Sequence, residues 1–275
     1  MRLTALTAFA LALGVGSAAS ASTNLITNGG FGAVDPSLTA LVAGGVYNGA
    51  EISNTYTVGS TSYDFRTAVT GWTSPRTAGP PFNQAYNLWE SGVDPTGKDA
   101  VSEYPGEQQR VDVNFPGLSP DGGAFMILDG DPTFTGPLEQ TVNGLVVGDV
   151  YSLSFYWAGG ELSNRVNYIS NQLHVSFSDG TTTQTYSTLK YLNTALPGQP
   201  GSFTPWMQVK TSFKATSTSE VLSFLSDGAP GGNLPPVALL DGVSLTVPEP
   251  AVWGLMVLGF GGVGAMIRRR RLAAA

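Results

Sequence analysis

The sequence contains no cysteine and a single histidine, His174, among its 275 residues. Without cysteine the chain can form neither a disulfide framework nor a metal site built from thiolates. One histidine cannot assemble a multi-histidine zinc site. A serine–histidine–aspartate triad also lacks support, because no Gly-x-Ser-x-Gly motif is present to display a nucleophilic serine. We therefore predict that His174 has no catalytic role.

Charge is also scarce, since Asp, Glu, Lys and Arg make up 12% of the chain, against about 25% in typical globular proteins. Arg2 and four C-terminal arginines account for 5 of the 13 basic residues; the other 8 lie with all 20 acidic residues in positions 3–267, for a net charge of −12. Phosphate contacts need Lys and Arg, so nucleic acid binding is excluded as a function. The 35 glycines and 18 prolines favour short strands with many turns and argue against a helical bundle.

The N-terminus has the three parts of a secretory signal peptide. Arg2 supplies the positive charge, residues 3–15 form the apolar core, and Ala19-Ser20-Ala21 fits the small-x-small cleavage rule. We predict a signal peptide over residues 1–21 and a mature chain that begins at Ser22. A retained N-terminal anchor is the alternative.

The C-terminus contains 17 uncharged residues, 251–267, followed directly by Arg268, Arg269, Arg270 and Arg271. As a helix at about 1.5 Å per residue this stretch covers about 25 Å, the short end for a bilayer core of about 30 Å. An arginine costs about 3 kcal/mol at the bilayer centre, so the cluster should stop on the cytoplasmic side. The pattern predicts one transmembrane helix over residues 251–267.

Pro248-Glu249-Pro250 stands directly before this span. The three parts together, residues 248–275, resemble the PEP-CTERM protein-sorting signal of Gram-negative bacteria. The resemblance implies recognition and cleavage by an exosortase, so that the inner membrane holds the protein only transiently. It further implies export to the cell surface or the extracellular matrix. An ordinary, retained membrane anchor is the alternative.

Between the two ends, residues 22–247 read as one all-β domain. In residues 151–157 the large side chains of Tyr151, Leu153, Phe155 and Trp157 alternate with small or polar ones, which is typical of a strand with one buried face. Residues 173–177 alternate in the same way, with His174 on the opposite face, and the following Ser-Asp-Gly-Thr suits a hairpin turn. Several short strands at this spacing predict a β-sandwich.

Three stretches of this domain, residues 24–31, 136–148 and 239–245, are similar to bacterial carbohydrate-binding-module-like jelly rolls of the galactose-binding-like group. The resemblance implies a jelly-roll-like β-sandwich and a structural Ca²⁺ near the opening turn. Asp241 of the last strand would be the ligand, with backbone carbonyls near residues 28–31. Gly32 stands where the group usually has Glu. The alternative is that Asp241 only accepts hydrogen bonds from turn amides.

Four aromatic residues lie among amide side chains in the least regular part of the domain: Trp72, Phe82, Tyr86 and Trp89. Aromatic faces beside amide groups suit sugar rings, so this set is the candidate for glycan binding. The alternative is that at least two of these rings pack in the core, because aromatic side chains bury large areas.

Glycoside hydrolysis needs only two carboxylates, and Asp129, Asp131, Glu139 and Glu161 are the candidates. An Asp-Gly-Asp-Pro run is more typical of a turn than of an acid/base pair, and we predict that the protein is not an enzyme. The sequence instead favours an exported surface or matrix protein that binds or associates with exopolysaccharide. Two alternatives remain open, a structural or adhesive protein without a defined ligand and a secreted glycoside hydrolase.

Overall fold

A computed structural model of the chain describes residues 23–33, 55–58, 61–64, 69–73, 86–89, 116–130, 136–161, 169–193, 203–229 and 236–247, with only the backbone described at 55–58, 61–64, 86–89, 169, 193 and 229. All of these belong to one unit, Thr23–Pro248. The predicted signal peptide, Pro-Glu-Pro motif, membrane span and arginine cluster lie outside the described residues, as do Phe82 and Asp131. Within the described ranges, no helix is long and apolar enough to cross a membrane.

The described residues form strands and turns, which confirms the all-β prediction. The twelve strands are β1 (Thr55–Val58), β2 (Thr61–Asp64), β3 (Tyr86–Trp89), β4 (Phe125–Asp129), β5 (Leu138–Asn143), β6 (Val150–Glu161), β7 (Ile169–Ser178), β8 (Thr183–Ser187), β9 (Tyr191–Asn193), β10 (Met207–Lys214), β11 (Ser219–Ala229) and β12 (Pro236–Thr246).

Ten of these strands build two antiparallel sheets. Sheet I has the order β10-β6-β12-β4-β3, and sheet II has the order β5-β11-β7-β8 with β9 also paired to β7. The other two strands, β1 and β2, pair only with each other. Consecutive strands alternate between the two sheets from β4 to β7 and again from β10 to β12. This alternation places consecutive strands in opposite sheets, as in a β-sandwich.

The two sheets pack face to face on one hydrophobic core. Phe155 of sheet I meets Phe224 of sheet II edge to face with 5.2 Å between ring centroids, and Phe177 stacks on Phe213 at 5.5 Å. All four side chains are at most 3% exposed. The predicted strand phase at residues 151–157 is confirmed, because it is the alternating apolar set of β6 that faces the other sheet. The structure is therefore a β-sandwich.

The N-terminal segment, residues 23–33, contacts the end of β12 without forming a strand of its own. Asn24 forms a single bridge with Thr246 of β12, and Leu25 N donates to Leu245 O at 2.8 Å. The chain then turns away through residues 27–30. The Asn24 carboxamide ends the ladder, since its Oδ1 accepts hydrogen bonds from both Ile26 N and Leu245 N.

Candidate functional site

Asp241 lies at an irregularity in the centre of sheet I. The register of β12 against β6 shifts between Asp241 and Ser244, and Gly242 adopts a φ of 59°, which glycine tolerates at little cost. The resulting bulge leaves the Asp241 side chain fully buried. Its Oδ1 accepts a hydrogen bond from Gly242 N at 2.7 Å, and its Oδ2 accepts one from the Ser119 hydroxyl.

A second carboxylate, Asp121, comes close to the same place from the turn before β4. A Cβ placed on Gly30 would lie 2.9 Å from Asp121 Oδ2 and 3.9 Å from Asp241 Oδ1. Both carboxylates therefore approach the opening turn on the side where Gly30 has no side chain. Burial raises the pKa of Asp241 to about 7, and the negative charge of Asp121 adds to this rise, while the hydrogen bonds from Ser119 and Gly242 oppose it.

This arrangement fits an oxygen-ligand cation in part. Asp121, Asp241 and the Ser119 hydroxyl are oxygen donors of the kind that Ca²⁺ prefers, although that ion takes about six to eight. Of the carbonyls that the sequence nominated, Asn28 O already accepts from Phe31 N and Trp72 Nε1, and Gly29 O accepts from Val243 N. Among the residues that the structure describes, no group of three or more His, Cys, Asp or Glu could hold a metal.

The prediction for Trp72 is wrong as far as an exposed sugar platform is concerned. Its side chain is 2% exposed and packs against Phe31 and Phe224, with ring centroids 5.1 and 6.1 Å away. The indole Nε1 donates to Asn28 O at 2.9 Å, so even its polar atom is used inside the protein. Trp72 stabilises the junction between the opening turn and the core, so it is one of the at least two rings that the core-packing alternative requires.

Tyr86 and Trp89 lie in β3, the edge strand of sheet I, and their roles stay predictions. In the antiparallel register Trp89 stands opposite Phe125 of β4, and Tyr86 stands opposite Leu128. Phe125 belongs to a small cluster of buried apolar side chains separate from the main core, with Ile127, Ala158, Phe203, Val237 and Leu239. Trp89 therefore occupies a register position beside this second cluster.

Trp206, which the sequence analysis missed as a site residue, lies on the same cluster. Its ring is partly exposed and meets Phe125 edge to face with 5.7 Å between centroids. Its Nε1 donates to Gly117 O at 2.7 Å, and the neighbouring residue Leu118 is 50% exposed. We call Leu118, Phe125 and Trp206 the aromatic patch. The sequence signal was weak, because Trp206 is a lone aromatic residue beside a strand.

The structure describes three of the four candidate acid/base residues, Asp129 of β4, Glu139 of β5 and Glu161 of β6. Glu139 is opposite Ser223 of β11, and burial raises the pKa of its carboxyl group. Glu161, at the end of β6 in the other sheet, is fully buried.

His174 lies on the outer face of sheet II between two partners. Its Nδ1 is 2.7 Å from Ser187 Oγ on β8, and its Nε2 is 3.0 Å from Asp227 Oδ2 on β11. The His174 and Asp227 side chains are 38% and 52% exposed. The contacts join three neighbouring strands on an open surface, which suits a cross-strand clasp.

The fold and these sites define an antiparallel β-sandwich with a buried carboxylate, Asp241, beside the exposed residue Asp121, and with a partly exposed tryptophan, Trp206. No protein-family model and no curated protein matches the sequence.

Some solved structures are similar to the chain at low sequence identity. A family 61 carbohydrate-binding module, TmCBM61 in complex with β-1,4-galactotriose, is 13% identical with a TM-score of 0.36, over 65% of this chain and 90% of that one. The K1 cleaved adhesin domain of Lys-gingipain from Porphyromonas gingivalis is 12% identical with a TM-score of 0.37, over 73% and 98%.

The C-terminal family 22 carbohydrate-binding module of Clostridium thermocellum Xyn10B is 13% identical with a TM-score of 0.32, over 74% of this chain and 94% of that one. TM-scores this low do not establish a common fold. The assignment to the β-sandwich class therefore comes from the chain's own strand pairing and core.

Proposed function

We propose that the protein is an exported, non-catalytic surface or matrix protein that associates with extracellular polysaccharide through the aromatic patch. The observation that carries the proposal is the partly exposed Trp206 ring, which Phe125 and Gly117 hold in place. An aromatic face offers a flat apolar surface to the C–H face of a sugar ring.

The position of Trp89 supports an extended patch. Trp89 stands opposite Phe125 in the β3–β4 register, so its backbone position is next to that of a residue of the patch. In this proposal Trp89 and Trp206 contact successive sugar units, while Phe82 and Tyr86 remain sequence-based candidates for further contacts.

Export and sorting in this proposal rest on the sequence. The signal peptide brings the domain across the inner membrane, and the span at residues 251–267 holds it there until an exosortase cleaves near Pro248-Glu249-Pro250. A structural Ca²⁺ held by Asp121 and Asp241 is the second part of the proposal. Its support is the convergence of two carboxylates beside Gly30.

Two alternatives compete with polysaccharide binding. A purely structural or adhesive protein would need no ligand, and in that case the aromatic patch would serve packing alone. A glycoside hydrolase is the weaker alternative, because an Asp-Gly-Asp-Pro run is more typical of a turn than of an acid/base pair. Asp129 lies at the end of β4, and its partner in the sequence motif, Asp131, lies outside the described residues.

The experiment is a glycan array probed with the purified protein, followed by titration of any sugar that binds. Replacing a tryptophan at the centre of a contact typically costs about 2 kcal/mol, so Trp206→Ala should weaken binding about 30-fold. Tyr191→Ala is the matched control, because Tyr191 is a partly buried aromatic residue of sheet II. Equal binding by wild type and Trp206→Ala, with unchanged thermal unfolding, would exclude the patch.

A further inference from the structure

The turn between β5 and β6 exposes three valines on an otherwise polar end of the sandwich. Val146, Val147 and Val150 are 57%, 58% and 46% exposed, and together we call them the valine knob. Leu145, directly before them, is 3% exposed and belongs to the core. The chain thus changes within one residue from burying an apolar side chain to presenting apolar side chains to the surroundings.

Hydrogen bonds hold the knob in its shape. Asp149 N donates to Val146 O at 3.0 Å, and Gly148 takes the positive φ of 94° that this turn requires. Val146 N donates to the buried Tyr151 hydroxyl at 2.9 Å. Two hydrogen bonds join the knob to Ala215 after β10. Gly148 N donates to Ala215 O, and Ala215 N donates to Asp149 O, both at 2.8 Å. A surface fixed in this way loses little conformational entropy when it makes a contact.

The first and last residues of the described sandwich lie close to the valine knob. Thr246, at the end of β12, pairs with Ser152 near the start of β6, and Asn24 forms its bridge with Thr246. Val150 begins β6. Only positions 248–250 separate Val247 from the apolar stretch 251–267, and three residues span at most about 11 Å.

We propose that the valine knob is a membrane-contacting surface, which lies against the lipid bilayer while the C-terminal span is inserted. The proposal rests on the membrane anchoring proposed above. The short tether keeps this end of the sandwich near the headgroups, and the three valines then enter the interface. Lys214 stands opposite Val150 and Asp149 precedes it, so charges of both signs flank the knob and its attraction to lipid is apolar.

A lipid surface fits the knob better than a second copy of the chain does. Three half-exposed valines present far less than the roughly 800 Å² per partner that a stable interface buries. Contact with lipid needs no such area, because the tether already holds the knob at the membrane and the valines only have to orient the domain. This contact ends when the span is removed, so the surface acts only during sorting.

The absence of cysteine allows a clean test with single cysteine labels on the full chain. Val147→Cys and Leu189→Cys would each carry an environment-sensitive fluorophore. Leu189 is the matched control, because it is 89% exposed and follows β8, whose end lies away from the knob. Both proteins are reconstituted in phosphatidylethanolamine–phosphatidylglycerol vesicles that contain a lipid-bound quencher.

We expect the label at position 147 to be quenched about threefold more strongly than the label at 189, since only the first lies at the apolar interface. Adding Val146→Ser and Val150→Ser to Val147→Cys should bring its quenching down to the control level. Flotation of the vesicles is measured on the same samples.

The outcomes separate the two proposals. If the chain does not float with the vesicles, the anchor fails and the membrane contact fails with it. If the chain floats and both labels are quenched equally, the anchor stands and the knob proposal is wrong. A signal at position 147 that follows protein concentration, without quenching by lipid, would indicate self-association and would likewise overturn it.

Discussion

Asp241 is a carboxylate that is fully buried in the sandwich. A fully buried carboxylate is costly unless hydrogen bonds or an opposite charge compensate it. Two hydrogen bonds, from Ser119 and Gly242, compensate it in part. Asp121 works in the other direction, because its negative charge contributes to the rise in the pKa of Asp241. A bound cation would reverse that effect and turn a repulsive pair into a ligand pair.

Calcium should therefore stabilise the protein through Asp241. A ligand that binds only the folded state adds about 2.7 kcal/mol when its free concentration is 100 times its Kd, or a rise of about 5–10 °C in Tm for a domain of this size. Differential scanning calorimetry with Ca²⁺ and with a chelator would measure the rise. In Asp241→Asn the rise should be lost, because the amide has no negative charge to hold the ion.

Asp227→Asn is the control for this prediction, since Asp227 is exposed on the other sheet. Ca²⁺ should raise the Tm of this variant by as much as it raises the Tm of the wild type. The pKa of the Asp241 carboxyl group is about 7, so at pH 8 the wild type buries a negative charge. In chelator at this pH, Asp241→Asn should therefore be at least as stable as the wild type. Equal Tm values for the wild type with and without Ca²⁺ would mean that Asp241 is only a turn-capping residue.

Trp72 and Trp206 differ in exposure although their local bonding is alike. Trp72 and Trp206 both have an indole N–H bonded to a backbone carbonyl, yet one is 2% exposed and the other is partly exposed. Sequence neighbours could not separate them, because amide side chains near Trp72 suggested a sugar site. What decides exposure is the tertiary packing of Phe31 and Phe224 against Trp72.

At the scale of elements, the opening turn depends on close contact with β12. Gly29 O accepts from Val243 N at 3.0 Å, and a Cβ on Gly29 would lie 1.9 Å from Val243 O. Asn28 and Phe31 have positive φ values of 54° and 56°, a conformation with a cost for residues that carry a Cβ. The turn keeps this shape because Phe31 is fully buried and Trp72 bonds to Asn28.

Gly29→Ala should destabilise the protein by about 3 kcal/mol, because the added methyl group overlaps a backbone carbonyl and must push the turn away from β12. Denaturation in urea would measure the change. Gly32→Ala is the matched control, since the nearest atom to its Cβ would be Gly30 O at 3.9 Å, an ordinary contact. Similar losses in the two variants would contradict the close approach of the turn to β12.

Alternation in the sequence predicted which residues of β6 and β7 face the core, and the turn after Ser178 was predicted from its Asp-Gly. Partners between strands could not be predicted, because alternation gives the face of a strand and not its neighbour. The carboxylate site shows the same limit. Ser119 lies 122 residues before Asp241, and only the register shift in β12 and the packing of the turn before β4 bring Ser119 and Asp121 to it.

On the scale of the whole molecule, the two ends of the sandwich are fastened to each other. Asn24 accepts from Leu245 N at 3.0 Å through its side chain and bridges Thr246 through its backbone. Ile26, two residues later, is 6% exposed and belongs to the core. These contacts join residues near the two ends of the described sandwich.

Processing at both ends should therefore leave a complete sandwich. Cleavage after Ala21 would leave Asn24 in place, and cleavage near Pro248-Glu249-Pro250 would fall just beyond Thr246. We expect intact-mass spectrometry of the protein recovered from the cell surface or the medium to show a chain that begins at Ser22 and lacks residues 268–271.

Glu249→Ala is the companion variant, because it alters the sorting motif without touching the sandwich. It should fold with the same Tm in detergent as the unprocessed wild type and should accumulate in the inner membrane with its tail intact. Recovery of the exported wild-type protein with Arg268 to Arg271 still attached would show that the tail is a retained anchor. The valine knob would then be a lasting membrane contact of the mature protein, because the tether that holds it there would never be cut.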